Sequence, residues 1–428
     1  MNKVTVFVWN FYTNDARVKR ECTALSDAGY KVNLIALKDT KDFNMKEHEN
    51  VKNNFELNRI EKKSIAMNFI SKFKTISIFI VLALNLLFFS LSYFDKQFIL
   101  LFLLFILVQI SFLKMKKIRT FIIKISTIVR MVIRGYKEKS AIYHANDLNT
   151  LPQAIICAKF RIRHSFVVYD SHEVQTDRTG YNGKSVKIIE KLLLMFVDEM
   201  IVENETRANY NVELYGFKPS ILHNYSDLLN IHEYRSARIH EKLDIEENEK
   251  ILLYQGGIQV GRGLEKLIEA MDYINEGHLV FIGDGKFKNE LKIKAKQSLE
   301  TKRIHFIDKV PLADLPSYTK DAFIGFQVLQ NICYNHFSAS SNKLFEYIMA
   351  EIPVIACDFP EISKVVNQNK VGIVVDSHDN KDIANAVNKI VNDKKLYEFL
   401  KKNTYSTKNL YNWENEKSCL LELYSKLK

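Results

Sequence analysis

Short apolar runs alternate with amphipathic helical segments along most of the chain. In the helical segments, such as residues 15–28, 264–274 and 344–350, apolar residues recur every three or four positions. The predicted strands are residues 3–9, 32–37, 142–144, 166–169, 200–202, 250–254, 279–282, 304–307, 323–328, 354–357 and 372–375. Because this alternation is typical of βαβ units, the pattern predicts an α/β protein with parallel sheets.

The predicted strands fall into two series, which indicate two doubly wound, Rossmann-like domains. The first domain covers residues 1–222, and the second covers residues 237–409. We interpret the polar run "HNYSDLLNIHEYRS", residues 223–236, as the hinge between them. A last helix within residues 410–428 is expected to pack back towards the first domain.

A hydrophobic insertion at residues 71–117 interrupts the first series. Residues 76–94 and 98–113 are almost wholly apolar, and only "DKQ" separates them. The flanking cations are Lys72, Lys74, Lys114, Lys116, Lys117 and Arg119. Because a membrane helix needs ~20 apolar residues, with a lower limit of ~17, we predict a membrane hairpin with both ends in the cytoplasm. It either crosses the bilayer or dips into one leaflet, and a buried hairpin in a soluble fold is the alternative.

A basic amphipathic helix is predicted directly after the hairpin, at residues 118–135. Its apolar stripe comprises Ile118, Phe121, Ile122, Ile125, Ile128, Val129 and Val132. Lys124, Arg130 and Arg134 lie off that stripe. Such a helix is expected to lie in the lipid headgroup plane. The alternative is a helix that packs on the sheet with its basic side in water.

Composition limits the possible partners. The 428-residue chain has a net charge of +11, which favours a phosphate-rich partner or reflects only a lysine-rich solvated surface. Its five cysteines are scattered, which argues for a reducing compartment and against a disulfide framework or a zinc site. The opening "KVTVFVW" is interpreted as a strand and not as a signal peptide. No nucleic-acid-binding motif and no D-x-D pair occurs, so neither a nucleic-acid partner nor a metal is expected.

Two segments of the second domain carry candidate chemistry. "LLYQGGIQVGRGLEKLIEAM" is a predicted strand, glycine-rich loop and helix, in which Gly256, Gly257, Gly261 and Gly263 let the backbone approach a ligand. Arg262 can grip phosphate oxygens there, although a glycine loop with one arginine is also a common turn.

The second segment is "SSNKLFEYIMAEIPVIACDFPE", in which Lys343 and Glu346 share one face of a helix. They form either a surface ion pair or part of a ligand site. The carboxyl edge of a parallel sheet, where such folds bind ligands, would bring them close to Arg262.

These segments, with "NDARVKRECTALSDAGYKV", "YHANDLNTLP", "VVYDSHE" and "NWENEKSCLLELY", resemble the family 4 (GT4) retaining glycosyltransferases of the GT-B fold. The resemblance covers nearly the whole chain except the hydrophobic insertion. It implies two Rossmann-like domains that face each other across a cleft.

The resemblance also implies roles for individual residues. Arg262 and Lys343 would hold the donor diphosphate, Glu346 would bind the donor ribose, and His172 in "YDSHE" would face the donor sugar. The first glutamate of the family's E-x7-E pattern falls at Ser338, so the resemblance does not carry over the sugar contact that this glutamate usually makes.

Further candidates lie on the acceptor side. Asn14, Asp15 and Arg17 lie in a loop that faces the cleft in this family, and His144 ends a predicted strand. Asn14 and Asp15 are also suited to cap a helix, and Arg17 to form a surface ion pair.

The implied function is metal-independent, hexosyltransferase-type transfer from a nucleotide-diphosphate sugar. The hairpin at residues 76–113 suggests a lipid-linked acceptor at the cytoplasmic face of the inner membrane, in bacterial surface polysaccharide or glycolipid synthesis. The alternatives are a non-catalytic membrane subunit of GT-B fold and a nucleotide-sugar epimerase of that fold.

Overall fold

The computed structural model of the protein describes residues 2–13, 15–39, 42–62, 74–114, 116–178 and 183–427. The chain divides into two compact units. The first comprises Met1–Asp15, Leu25–Tyr169 and Leu193–Asp198, and the second comprises Ala16–Ala24, Asp170–Leu192 and Glu199–Lys428. The domain limits expected from the sequence stay a prediction.

The first sheet has eight strands, in the order β3-β4-β2-β1-β5-β6-β7-β8. They are β1 (Lys3–Phe7), β2 (Lys31–Lys38), β3 (His48–Lys52), β4 (Phe55–Glu61), β5 (Ile142–Asn146), β6 (Phe166–Ser171), β7 (Glu199–Val202) and β8 (Ser220–Ile221). In register, Val4 pairs with Val32 of β2 and with Ile142 of β5, both in parallel. The short strand β3 is antiparallel to its neighbour, β4.

Helices alternate with these strands as predicted, except that, among the described residues, β2, β3 and β4 are consecutive and three helices in a row separate β4 from β5. The helices are α1 (Ala16–Asp27), α2 (Lys74–Phe94), α3 (Phe98–Lys114), α4 (Lys116–Glu138), α5 (Leu151–Lys159), α6 (Gly183–Leu194) and α7 (Glu205–Tyr215).

The second sheet has six parallel strands, in the order β11-β10-β9-β12-β13-β14. They are β9 (Ile251–Gln255), β10 (His278–Ile282), β11 (Ile304–Ile307), β12 (Ile324–Gln327), β13 (Val354–Cys357) and β14 (Gly372–Val375). The order reverses between β9 and β12, so these adjacent strands form the topological switch point, where doubly wound sheets bind ligands.

Ten helices of the described part accompany the second sheet or follow it. They are α8 (Ile239–Leu243), α9 (Leu264–Ala270), α10 (Lys288–Gln297), α11 (Leu315–Thr319), α12 (Tyr334–Phe337), α13 (Asn342–Met349), α14 (Pro360–Asn369), α15 (Asn380–Asn392), α16 (Lys394–Thr407) and α17 (Trp413–Lys426).

Alternate residues of the second sheet fill a hydrophobic core on each face. Leu252 and Tyr254 of β9 belong to one core, and Leu253 belongs to the other. Since both faces are covered, the strands read as continuous apolar runs, which explains why they were predictable. The helix α13 packs its buried residues Leu344 and Phe345 into the second core.

The insertion forms an antiparallel helical hairpin of α2 and α3. The rings of Phe88 and Phe105 lie 5.0 Å apart between centroids, and the Gln109 amide donates to Asn85 Oδ1 at 3.2 Å. Much of its apolar surface is exposed: Leu86 is 67% and Leu100 is 77% accessible. All six flanking cations named above lie outside the described residues or have undescribed side chains.

Among the described residues, no helix combines the length and hydrophobicity needed to cross a membrane. The predicted membrane-spanning form of the hairpin is therefore not supported.

The helix α4 packs on the first sheet and on α5, as the alternative interpretation of this segment expected. Its buried side includes Thr127 and Met131, and an added Cβ at Gly135 would lie 2.5 Å from the Phe7 ring. Its outer side is not basic throughout, however, because Phe121 and Ile125 of the predicted apolar stripe are exposed.

We expect Gly325→Ala in β12 to destabilise the protein by about 1–3 kcal/mol, as overpacking of a dense core does. A Cβ at Gly325 would lie 2.4 Å from the buried ring of Tyr347 in α13, so ring and helix would have to shift. Urea unfolding would measure the loss. Because Tyr347→Ala opens the same space, the double variant should lose less than the sum of the single losses. Strict additivity would contradict this close contact.

Candidate functional site

The glycine-rich loop after β9 is held against the end of β12. Gly263 has φ of +71°, a left-handed conformation, and an added Cβ there would lie 2.2 Å from the Val328 carbonyl oxygen. Only glycine fits without strain at such a position. The backbone of Gln330 also donates to the Gly261 carbonyl at 2.9 Å. These contacts fix Arg262 at the switch point of the second sheet.

The guanidinium of Arg262 has unused hydrogen-bonding capacity. Its Nε is buried, and it has no hydrogen-bond partner among the described residues. A buried N–H without a partner is costly, so this atom is suited to an anionic ligand that supplies an acceptor.

Lys343, at the start of α13, is buried beside the same loop. An added Cβ at Gly256 would lie 3.4 Å from its Nζ, which also stands 5.3 Å from the centroid of the Tyr254 ring. Burial, followed by the positive charge of Arg262, lowers the pKa of Lys343 to about 7, and Glu346 partly offsets this. The two cations therefore share one environment.

Glu346 is oriented from the end of β9. Its Oε2 accepts a hydrogen bond from Gln255 Nε2 at 2.7 Å, and Gln255 Oε1 accepts one from Thr319 Oγ1 at 2.7 Å. The Tyr347 hydroxyl accepts from the Gln255 backbone N–H at 3.2 Å and donates to the Leu253 carbonyl. The carboxylate is thus held in place without a direct ion pair to Arg262 or Lys343.

His172 follows β6, and its imidazole is partly exposed. Its Nε2 lies 3.2 Å from Asp170 Oδ2, and Asp170 also accepts two hydrogen bonds from Arg17, at 3.0 and 2.9 Å. Burial alone would lower the pKa of Arg17, but the carboxylates of Asp170 and Glu21 outweigh it and raise that pKa. Asp170 therefore links the histidine to a buried, fully charged arginine.

Arg207 of α7 ties the His172 segment to the loop before α13. It donates to the His172 carbonyl at 2.5 Å and to Ser338 Oγ at 3.2 Å, and it pairs with Glu203 at 2.5 Å. Asn204 adds a bond from its Nδ2 to the Ser338 carbonyl at 2.7 Å.

A second bridge joins the same two segments. Asn335 Oδ1 accepts from the Val174 backbone N–H at 2.7 Å, and Asn335 Nδ2 donates to the Val174 carbonyl at 3.1 Å. The next residue, His336, is close to the paired cations: burial lowers its pKa, and the charges of Arg262 and Lys343 lower it further. Through α12, the second unit thus connects His172 with the switch-point residues.

The predicted donor-site residues Arg262, Lys343 and Glu346 are therefore brought together. Gly257 lies in the same loop, where its carbonyl accepts from the Tyr254 hydroxyl at 2.9 Å. Ser338 is fully buried, and its hydroxyl is engaged with Arg207. Contact of these residues with a donor stays a prediction.

The acceptor-side candidates are more scattered. Asn14 lies outside the described residues. Asp15 accepts a hydrogen bond from Asn10 Nδ2 at 2.7 Å, and Arg17 is engaged with Asp170. His144 is buried in β5 and belongs to the first unit. Their acceptor roles stay a prediction, as does the expected independence from metals.

The sequence analysis missed Asp170, Arg207 and Asn335. Asp170 had a visible signal, since it stands two residues before His172 at a strand end, in "YDSHE". Arg207 and Asn335 had none, because Arg207 is 131 positions from Ser338 and Asn335 is 161 from Val174.

The comparisons with known proteins agree with this description. Two sheets built mainly from parallel strands, with their helices, define the GT-B class of fold, as predicted. Residues 236–407 match the family model described as "Glycosyl transferases group 1". The matched segment contains Arg262, Lys343 and Glu346. The GT4 subfamily stays a prediction.

One curated relative is the chitobiosyldiphosphodolichol beta-mannosyltransferase of Candida albicans. It is 24% identical over 271 residues, which cover 56% of this chain and 56% of the relative. The match thus spans little more than half of that protein's length.

Two solved structures are similar over the whole chain. Sucrose-phosphate synthase from Thermosynechococcus elongatus has a TM-score of 0.74 and 16% identity, with 100% of this chain and 99% of that chain covered. Anabaena HepE in complex with UDP-glucose has a TM-score of 0.70 and 11% identity, with both chains fully covered (100%). At these identities the likeness shows the fold.

The low pKa of Lys343 predicts a pH dependence of stability. Below about pH 7 the ammonium stays charged inside the fold, at a cost. Between that pKa and the ordinary lysine value, the unfolded chain keeps a proton that the folded chain has lost, so the free energy of unfolding rises with pH. Cys357, Glu346 and Arg262 are the charged or titratable groups that act on this lysine.

We expect Lys343→Met to remove that part of the pH dependence and to stabilise the unliganded protein most at pH 6. Denaturant unfolding between pH 6 and 9 measures both effects. Lys381→Met, at an exposed position, is the matched control and should run parallel to the wild type. A parallel curve for Lys343→Met would show that the ammonium is not desolvated.

Proposed function

We propose that the protein is a retaining, metal-independent glycosyltransferase of the hexosyltransferase type. It transfers a sugar from a nucleotide-diphosphate donor to a lipid-linked acceptor, at the cytoplasmic face of the bacterial inner membrane. The pathway we propose is the synthesis of a surface polysaccharide or glycolipid. The donor part rests on the match of residues 236–407 to the group 1 glycosyltransferase model and on the paired cations inside that segment.

The single observation that carries the proposal is the convergence of Arg262 and Lys343 with little opposing charge. Arg262 has a buried, unpartnered Nε, and the ammonium of Lys343 is desolvated beside it. A diphosphate would supply the missing negative charge and hydrogen-bond acceptors. Because charge accumulates on the departing diphosphate, these cations would stabilise the transition state more than the ground state.

The other residues are suited to positioning. Glu346, oriented by Gln255, would accept hydrogen bonds from the donor ribose. His172, oriented by Asp170, would hold the donor sugar. The resemblance to retaining enzymes favours a front-face route, in which the acceptor hydroxyl bonds to the anomeric carbon as the bond to the diphosphate breaks. The acceptor proton would pass to a diphosphate oxygen.

The acceptor part rests on two separate supports. The Candida albicans relative is named for transfer to a diphosphodolichol-linked chitobiose, which is a lipid-linked sugar. In this chain, the hairpin exposes apolar side chains such as Leu86, Phe89 and Leu104 on its outer faces. Exposed apolar surface costs about 25 cal/mol per Å² in water, which favours burial in lipid. We propose that the hairpin enters one leaflet.

We expect the donor site to fail when either cation is removed. Arg262→Ala and Lys343→Ala should each reduce transfer by about 2–4 kcal/mol of transition-state stabilisation. The donor is first identified by thermal-shift screening of the purified protein against UDP-, GDP-, ADP- and CDP-sugars, and anomeric configuration in the product is read by NMR. The selected donor should raise the melting temperature of the wild type but not of either variant.

Lys381→Ala is the control, since it removes an exposed cation outside the site. Donor binding without any transfer would favour a non-catalytic subunit, and conversion of the free donor to its epimer would favour an epimerase. If no nucleotide sugar shifts the melting temperature, the donor site is wrong.

We expect the triple variant Leu86→Asn, Leu100→Asn, Leu104→Asn to lose vesicle binding and transfer to a lipid-linked acceptor. It should retain its thermal shift with the donor, because the substitutions lie outside the donor-site unit. Flotation with phosphatidylcholine vesicles measures binding. The matched control replaces Leu299, Phe399 and Leu410, which are also exposed, with Asn and should float like the wild type. Unchanged flotation of the hairpin variant would rule out the leaflet-inserted hairpin.

A further inference from the structure

The helix α6 presents an apolar surface to solvent on the unit that carries the donor-site residues. Ile188, Ile189 and Leu192 are 62%, 52% and 57% accessible. Their spacing of one, three and four residues places them on one side of the helix. None of them contributes to either hydrophobic core of the second sheet.

Three lysines accompany this apolar surface. Lys184, Lys187 and Lys191 are exposed, and within the described residues none of them takes part in an ion pair. Their spacing of three and four residues sets them along one flank of the apolar strip. No carboxylate of the described residues therefore pairs with these three lysines.

The opposite side of α6 attaches the helix to the protein. Val186 and Glu190 are buried, and Glu190 Oε2 accepts a hydrogen bond from the Tyr215 hydroxyl of α7 at 2.6 Å. Glu190 is the only acidic residue of α6, whose sequence is GKSVKIIEKLLL. Since that carboxylate points inward, the outer side of α6 is apolar and cationic, with no negative charge.

We propose that the outer side of α6 is a second membrane contact, specific for anionic lipid headgroups, and that it is independent of the hairpin. The combination of exposed aliphatic side chains with flanking lysines matches a helix that lies in the plane of a negatively charged interface. An acidic protein partner would also pair with the lysines, but the outward aliphatic residues favour a surface that offers both phosphate groups and acyl chains.

The biological role of this contact rests on the proposed function, because a membrane contact through α6 would bring the donor-site unit to the surface where a lipid-linked acceptor resides. His172 and the part of α6 up to Leu192 belong to the same stretch of the second unit, Asp170–Leu192. The lipid contact itself can be tested without any knowledge of donor or acceptor.

The experiment uses the full chain with vesicles of phosphatidylcholine alone or mixed with phosphatidylglycerol. Hydrogen–deuterium exchange of the peptides covering α6 should slow with the anionic vesicles and not with the zwitterionic ones. Lys184→Gln, Lys187→Gln, Lys191→Gln together should abolish this slowing and weaken anionic-vesicle binding about a hundredfold, because each lysine near such a surface strengthens binding roughly fivefold. Zwitterionic-vesicle binding through the hairpin should not change.

The matched control is Lys394→Gln, Lys395→Gln, Lys402→Gln on α16, which removes the same charge from exposed positions elsewhere. It should bind anionic vesicles nearly as the wild type does. If both triple variants lost anionic-vesicle binding equally, the effect would depend only on net charge, and the proposal would be overturned.

Protection of α6 that rises with protein concentration in the absence of vesicles would also overturn it, and would assign the surface to a second copy of the chain. Thermal-shift binding of a nucleotide sugar separates this outcome from the proposed function. If the α6 variant keeps its donor shift but shows no lipid effect, only the second membrane contact is wrong.

Discussion

The candidate site depends on holding two cations together inside a protein that supplies little negative charge to match them. Burial first, and repulsion by the neighbouring Arg262 second, lower the pKa of Lys343. The fold tolerates this because Arg262 sits on a loop fixed by Gly263, and Lys343 sits on a helix fixed by its packed neighbours Leu344 and Phe345. Neither cation can move away without disrupting well-packed parts of the second unit.

The groups that surround the two cations are polar but mostly neutral. Gln255 holds the Glu346 carboxylate by a hydrogen bond, and the ring of Tyr254 lies under the ammonium of Lys343. The aromatic ring and the oriented carboxylate reduce the electrostatic repulsion between Arg262 and Lys343 but do not cancel it. The positive potential therefore remains available to an anionic ligand, which is what preorganisation requires.

The fold could be predicted from the sequence where strands are buried on both faces. β13, which is buried throughout, has the predicted limits because "VIAC" is a continuous apolar run. The edge strand β14 is only partly buried, but its run "GIVV" is also apolar and its limits are as predicted. β3 and β4 were missed, since β3 is largely exposed and reads as "HENVK". β4 carries Asn58, whose buried amide bonds to Asn33 at 2.8 Å, a polar pair that no hydrophobic pattern reveals. The exposed side of α4 could not be predicted either. Hydrophobic periodicity shows that a helix has an apolar and a polar side, but not which side packs on the sheet.

In the candidate site, residues within short sequence motifs could be predicted, whereas contacts between residues far apart in the sequence could not. Arg262 could be found because it lies in a glycine-rich loop between β9 and α9, and Lys343 and Glu346 because they lie together in the short motif of α13. The substitution at Ser338 shows what a motif cannot convey. Arg207 lies against the Ser338 hydroxyl and already has the carboxylate of Glu203 at 2.5 Å. A glutamate at position 338 would bring a second carboxylate into this buried setting, so the serine is consistent with the charge balance of its surroundings, and its presence is weak evidence for a lost activity.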